Sequence, residues 1–442
     1  MTPAADTTGS IPVIDASGPA NRPSLRARLA ASVADPVLRI LVVSTLIGRI
    51  GRGVFLTVTV LYFTLIVGLS PVEVAIVLGA SSAAGVGGSL LGGMLADRFS
   101  ARRLLLLFSA LTGLGLIAYV VADSFASAIA VAVFVGAVDS AANSTRMAIL
   151  ARAFTGAARV NARAILRTVT NIAIAVGSAL GGLALLAGTG SAYRWVLVGA
   201  GIVYLVGCSV LVRLPAAVDA PPRETGLDTR ARAALSASRR SHSPWRDPRY
   251  LVLALLSAVF GIQFGLAEIG VPLWIAHDTT APTVLVSVVL ILNTIVVIIF
   301  QVPLSRGTHD IRHAGTVTAW AGVLMAAACL LYFAASGQLV IVAVALLVVA
   351  ALAHAFAEVL SQAGGWGLSF ELADPAAPGA YQGVFSMGFS IGSMLAPIVV
   401  TTALGLGFAG WAFLAAMFLV AAAGTTAIAY RAAAGDRADA VA

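Results

Sequence analysis

The chain has 442 residues, 60% of them hydrophobic and only 10% charged, and its mean hydropathy is +0.98. A soluble protein of this length needs far more charge to cover its surface, so the composition excludes one and demands a lipid solvent for most of the chain. The formal net charge is +8, yet all 27 basic residues are arginine and they gather at the ends of apolar runs, which points to membrane topology and away from nucleic acid.

Residues 1–35 are rich in Pro, Ala, Thr and Asp, with no apolar stretch before Arg22 that could act as a cleavable signal, so they are expected to form a disordered tail. The chain then passes through apolar segments long enough to cross a bilayer as helices, which takes ~20 residues each. The expected spans are 38–66, 72–95, 103–122, 125–150, 162–187, 193–213, 249–276, 282–304, 314–335, 339–363, 379–405 and 409–430. A polar stretch over 214–248 divides them six and six. It links a bundle over 36–213 to a bundle over 249–430, with a short tail over 431–442. The expected fold is all-α: a polytopic membrane protein of twelve transmembrane helices in two pseudo-symmetric six-helix bundles. Cys208 and Cys329 lie in apolar spans, and the histidines match no metal-site spacing, so no disulfide framework, metal or other cofactor is expected.

The arginines orient these spans. With both termini cytoplasmic, the connections on that side hold Arg98, Arg102 and Arg103 after span 2. They also hold Arg146, Arg152, Arg159, Arg163 and Arg167 around the fourth connection, and eight more arginines from Arg213 to Arg249. The opposite connections hold only Arg194, while Arg49 and Arg52 fall inside span 1, so 24 of the 27 arginines lie on one side. Positive residues favour cytoplasmic loops, which places both termini in the cytoplasm of a multi-pass protein of the cell membrane.

The two halves repeat. "DPVLRILVVS" at Asp35 and "DPRYLVLALLS" at Asp247 lie 212 residues apart, Asp97 and Asp310 lie 213 apart, and "AVGSALGG" (175–182) and "SIGSMLAP" (390–397) lie 215 apart. Parallel six-helix repeats put a substrate path near the bilayer midplane, between halves that rock against each other.

Between spans 2 and 3, "GGMLADRFSARR" places Asp97, Arg98, Arg102 and Arg103 within seven residues, four positions after Gly93. This stretch resembles motif A of the major facilitator superfamily, with Ser100 where the second glycine of that motif usually stands. The resemblance implies that Asp97 meets the N-terminus of span 11 near Gly379, with Arg146 as a second partner, forming a latch that breaks when the cavity opens to the cytoplasm; the alternative is that these charges only anchor the loop and set topology. In span 5, "AIAVGSALGG" keeps Gly177, Gly181 and Gly182 of motif C of the drug-efflux antiporters, with Ala173 and Ser178 replacing a glycine and a proline. The same small residues equally serve close helix packing. The resemblance spans residues 36–430 and is closest in character to the drug and natural-product efflux branch.

An ionisable side chain at mid-bilayer costs about 2.5–3.5 kcal/mol on insertion scales and therefore marks a cavity or a partner. Arg49 and Arg52 share one helical face, as do Asp139 with Asn143, and His354 with Glu358 and Gln362. The resemblance implies that spans 1, 4, 7 and 10 line the cavity, where these faces would meet. The proton-coupling candidates, in order, are Glu268, then Glu358 with His354, then Asp139. For each, structural pairing with a buried arginine is the alternative. Tyr62, Gln263 and Asn293 join Arg49, Arg52, Asn143 and Gln362 as candidate cavity residues, with Trp274 and Trp366 as weaker ones.

No nucleophile elbow or phosphate-cradling loop is present, so the chain is not expected to be an enzyme and an ion gradient must drive it. The leading expectation is a monomeric, proton-driven exporter of a hydrophobic or amphipathic small molecule such as a drug or natural product. A proton-coupled uptake carrier for a nutrient or organic anion is the alternative, which unpaired Arg49 and Arg52 would suit. A non-transporting receptor or scaffold is a third possibility.

Overall fold

Polar caps set the helix starts. The computed structural model describes residues 35–185, 189–219 and 243–441. In it the Asp35 carboxylate accepts from the Leu38 N–H at 2.9 Å and the Asp247 carboxylate from the Tyr250 N–H at 3.0 Å. Each aspartate is followed by a proline whose missing N–H costs nothing in a first turn. Ser100 and Asp310 cap the third and ninth helices in the same manner, through Arg103 and His313. Asp310 therefore repeats the task of Ser100 and not that of Asp97, which corrects the pairing at an offset of 213. Ser100 adopts φ −60°, so the loop needs no glycine there.

The helices are α1 (Pro36–Leu61), α2 (Pro71–Ala96), α3 (Ala101–Ala118), α4 (Phe125–Ala153), α5 (Gly156–Leu185) and α6 (Gly190–Ser209) in the first half. The second half holds α7 (Pro248–Asp278), α8 (Leu285–Leu304), α9 (Ile311–Ala334), α10 (Val340–Glu371), α11 (Pro378–Gly405) and α12 (Phe408–Val441). Twelve helical spans are long and apolar enough to cross a membrane, and no strand occurs among the described residues. The chain is a multi-pass membrane protein. Leu65, Ile341 and Ile398 stay exposed on its outer surface, as a lipid-facing shell requires.

Three boundaries differ from expectation. α5 begins at Gly156 instead of 162 and α10 runs to Glu371 instead of 363, because their polar turns face each other across the interior and need not leave the helix. α12 continues through most of the stretch expected to be a tail, since an alanine-rich sequence favours helix. Residues 1–34 and 220–242, which hold most of the expected tail and linker, lie outside the described residues.

Glycines set the packing within each half. A Cβ on Gly177 of α5 would lie 2.1 Å from the Ile50 carbonyl of α1, and one on Gly392 of α11 would lie 1.9 Å from the Ala258 carbonyl of α7. The α1–α5 and α7–α11 pairs are thus equivalent backbone-to-backbone approaches, the behaviour of small-residue interfaces in membranes. Gly181 also meets α1, at Val54 and Thr57, whereas Gly182 faces open space.

The buried apolar residues divide unevenly. One cluster joins the halves at the end of the molecule that carries Asp97, running from Leu38, Ala96 and Leu150 to Tyr250, Trp366 and Tyr381. Towards the opposite end, which carries Ser70, the clusters belong to one half each: Phe55, Tyr119 and Tyr193 in the first, Trp274, Tyr332 and Trp411 in the second. The halves close on each other at the Asp97 end.

Candidate substrate and proton site

The closure is built from residues of the 93–103 stretch. Asp97 stands at the C-terminus of α2, and its carboxylate accepts from the backbone N–H of Gly379 at 2.9 Å and of Ala380 at 2.6 Å, at the start of α11. That helix end presents unpaired N–H groups and the positive pole of its dipole, so a carboxylate suits it. Arg152 of α4 donates to the same carboxylate at 2.5 Å and to the Ala96 carbonyl at 3.0 Å. Burial pushes the Asp97 carboxyl up, against the pull of Arg152 and the two amides. Gly93 permits the approach: a Cβ there would sit 2.2 Å from the Gly379 carbonyl.

Arg152, and not Arg146, is the arginine on Asp97. Six residues separate them on α4, and Arg146 lies more than a turn deeper, in the interior. Arg102 also turns elsewhere: its backbone N–H and its Nε bond Asp219, at 3.0 and 3.1 Å, and Ser100 donates to the same carboxylate. This clamps the described start of the linker to the loop. Arg98 and Arg103 are exposed and form no ion pair among the described residues.

A seam runs inward from the latch between α5 and α10. Arg159, Arg163, Arg167 and Asn171 recur every four residues on α5, which aligns them on one face. Arg159 donates to Glu371 at 3.3 Å, Arg163 lies 4.2 Å over the Trp366 ring, and Arg167 donates to Glu358. Asn293 of α8 donates to the second oxygen of Glu358 at 3.2 Å. Arg163 and Arg167 thus line the interior and do not belong to the connection where the charge count put them. The helix carries its polar face into the membrane because α10 covers it.

The two halves hold their other buried charges separately. Arg49 lies 3.6 Å from Asp139, whose other oxygen accepts from the Tyr204 hydroxyl at 3.2 Å. Arg52 lies over the Phe55 ring at 5.4 Å and forms no ion pair among the described residues. His354 is buried on α10 beside Tyr332, with its Nε2 unpartnered, and lies close enough to Glu358 to feel its charge. Glu268 is exposed, and no hydrogen bond or ion pair reaches it among the described residues. Its carboxylate is near enough to Glu358 for the two to repel. It sits in the π-turn Leu266–Gly270, and Pro272 lacks the N–H that would close onto the Glu268 carbonyl.

Three cavity candidates serve the scaffold instead. Tyr62 is buried and donates to the Val120 carbonyl at 3.1 Å. Gln263 is buried within the second half and donates to Ser361 at 3.1 Å, and Trp274 donates to the Tyr332 carbonyl at 2.7 Å within an aromatic group. Gln362 is buried on the face of α10 that carries Glu358. Asn143, Arg49 and Trp366 do share a cavity, with Arg146, Arg163, Arg167 and Asn171, whose water-accessible space is about 130 Å³. Among the described residues no group of three or more His, Cys or carboxylate side chains could hold a metal.

Comparison with known proteins gives this geometry a context. A family model described as Major Facilitator Superfamily matches residues 41–397. No curated protein matches the sequence. Among solved structures, the chain resembles the human organic anion transporter MFSD10 (TETRAN), at 16% identity and a TM-score of 0.66, over 88% of this chain and 98% of that one. It resembles FucP in the outward conformation at 13% identity and a TM-score of 0.66, over 90% and 99% of the two chains. A third likeness is the proton:xylose symporter XylE, at 15% identity and a TM-score of 0.61, over 89% and 95%. At these identities the likeness is one of fold.

Proposed function

Because the chain belongs to the Major Facilitator Superfamily, we propose that it is a proton-coupled secondary transporter that exports an amphipathic small molecule by alternating access. The asymmetric interior carries this conclusion: one buried cluster and one charged seam join the halves at the Asp97 end, and among the described residues neither has a counterpart at the Ser70 end. The arginine bias of the sequence supports a cytoplasmic Asp97 end, with both termini on that side of the cell membrane. Glu358 is the proton carrier this geometry favours, since it pairs with Arg167 across the seam and any rocking of the halves must change that pairing. Glu268 and His354, both within its electrostatic reach, are the groups to which the proton could pass. The carrier works as a monomer.

Export rests on the motif-C-like packing of Gly177 and Gly181 on α1. A second direction, uptake of an organic anion, is favoured by a different observation: Arg146 and Arg163 lie inside the bundle with no carboxylate in ion-pair range among the described residues. The experiment compares cells with and without the gene across a panel of toxic amphipathic compounds, with and without a protonophore. An exporter raises tolerance, and the protonophore abolishes the difference. A Glu358→Gln variant, present in the membrane at normal level, loses it as well. Greater sensitivity in cells carrying the gene would replace export with uptake, and indifference to the protonophore would remove the proton.

A further inference from the structure

The cavity beside the seam has more donors than acceptors. Arg146 is only 7% exposed, and its Nε has no hydrogen-bond acceptor among the described residues. The Nε atoms of Arg163 and Arg167 and the Nδ2 of Asn171 are likewise buried without an acceptor, and Asn143 completes the polar wall. A guanidinium does not shed its proton, so each of these arginines keeps its charge. Arg49, Arg146, Arg163 and Arg167 are four such groups on one cavity, against Asp139 and Glu358 within ion-pair range. Glu268, within electrostatic reach of Glu358, adds a third carboxylate, so arginines still outnumber acids four to three among these described residues. Arg146 and Arg163 have no carboxylate in ion-pair range among the described residues, and two uncompensated guanidiniums on one cavity are an unfilled demand for negative charge.

Geometry says which kind of anion would meet that demand. The water-accessible space of about 130 Å³ is smaller than the several hundred Å³ of a typical drug-sized site and accommodates a compact oxyanion group. Arg163 lies 4.2 Å over the Trp366 ring, and its guanidinium, like those of Arg146 and Arg167, can hold a planar or tetrahedral oxyanion by two parallel N–H bonds. The space lies on the interior side of the latch, next to the pair that joins the halves.

We propose that this cavity is the anion subsite of the transport path, taking the carboxylate or phosphate-like group of a small organic anion between Arg146, Arg163 and Arg167. The inference rests on the central space being the cargo path and specifies the charge of the cargo. It has a consequence for Glu358, which faces Arg167 from α5, Asn293 from α8, Glu268 from α7 and His354 on its own helix. Arg167 already serves that carboxylate, so an entering anion competes with Glu358 for it.

The test measures binding by calorimetry on the purified full chain in nanodiscs of neutral phosphatidylcholine, with benzoate, benzamide, benzylamine and inorganic phosphate as probes. Benzoate or phosphate binds, while the neutral and cationic isosteres do not. Arg163→Ala and Arg146→Gln each weaken the anion by about ten- to a hundredfold, the usual worth of a hydrogen bond to a charged group. Arg312→Ala, outside the cavity over Tyr430, leaves binding unchanged. Glu358→Gln tightens it, because the competing carboxylate is gone, an outcome that a merely damaged fold would not produce. Should phosphatidylglycerol in the nanodisc abolish benzoate binding, a lipid headgroup is the occupant of the same subsite. Anion binding that ignores both cavity substitutions, Arg163→Ala and Arg146→Gln, or preference for benzylamine, overturns the subsite. Protonophore-sensitive tolerance could survive that result, so the carrier and its anion site fail separately.

Discussion

Asp97 gathers three donors from two different helices onto one carboxylate, and two of those donors are backbone amides that no side-chain change in α11 short of proline can remove. Replacing it with asparagine keeps the shape but removes the charge, and it turns an amide N–H₂ towards groups that can only donate. Hydrogen bonds to a charged group are worth about 1.5–3 kcal/mol each, so losing even one shifts the closed state by roughly tenfold in population. Asp97→Asn is expected to insert and fold normally while the Asp97 end opens more often, read as faster labelling by a water-soluble maleimide of a cysteine placed at Gln382, which is buried there. Labelling as slow as in the parent would remove the latch. The pair between Arg167 and Glu358 obeys different arithmetic. Removing Arg167 alone leaves a carboxylate that is almost wholly buried without its cation, at a cost of about 3–5 kcal/mol. The double variant Arg167→Ala/Glu358→Gln leaves no such charge, and it is expected to melt above Arg167→Ala alone in the same detergent. A double variant less stable than the single one would mean that the pair contributes more by packing than by charge.

At the scale of helices, the α2–α11 and α5–α10 contacts solve opposite problems. α2 and α11 meet through bare backbone at Gly93, Gly379 and Gly383, whereas α5 and α10 meet through long side chains: Arg159 on Glu371, Arg163 on Trp366 and Arg167 on Glu358. Gly93→Ala would place a methyl 2.2 Å from a carbonyl oxygen that cannot move without its helix. Overpacking of this kind costs about 1–3 kcal/mol, here charged to the closed state alone, and the variant should show the same open Asp97 end as Asp97→Asn with every latch charge intact. α7 supplies a looser element, since Pro272 and the π-turn at Leu266–Gly270 leave carbonyls with imperfect partners. Pro272→Ala is expected to slow amide hydrogen exchange over residues 266–273, and unchanged exchange would separate the π-turn from the proline. The twelve spans were legible because hydropathy over twenty residues is a strong signal, and the 93–103 stretch because its charges stand out against it. The four-residue repeat of Arg159, Arg163, Arg167 and Asn171 was equally present in the sequence, but an arginine near a span end reads as a loop charge until a facing helix is known. Glu371 and Trp366 supply that facing helix, and no local pattern pairs them with α5. The choice of Arg152 over Arg146 for Asp97 was hidden for a similar reason, since helical phase alone decides which of two arginines on α4 reaches the rim.

Across the whole molecule, the halves can exchange closure at one end for closure at the other only if the contacts on the two sides are of comparable strength. Here the Asp97 end holds the latch, the seam and a shared apolar cluster, while the apolar groups near the Ser70 end stay within their own halves. A rigid rocking motion that separates Asp97 from Gly379 must bring the opposite rims together, because each half is internally stapled by glycine-to-backbone approaches that leave it little freedom to deform. Spin labels on exposed rim positions test this directly: Arg98 with Arg306 at one end, Asp123 with Gln338 at the other. Both native cysteines, Cys208 and Cys329, are buried and should take little label. In the parent protein the first distance is expected to be single and short and the second long. Asp97→Asn or Gly93→Ala should add a longer 98–306 population and, in equal proportion, a shorter 123–338 population, a shift of about tenfold for each ~1.4 kcal/mol removed from the closed end. If the 98–306 distance lengthens while 123–338 does not change, the halves do not move as rigid bodies. The seam would then be a gate on a single end, and the exchange of Arg167 between Glu358 and an incoming anion would have to be local to α5 and α10.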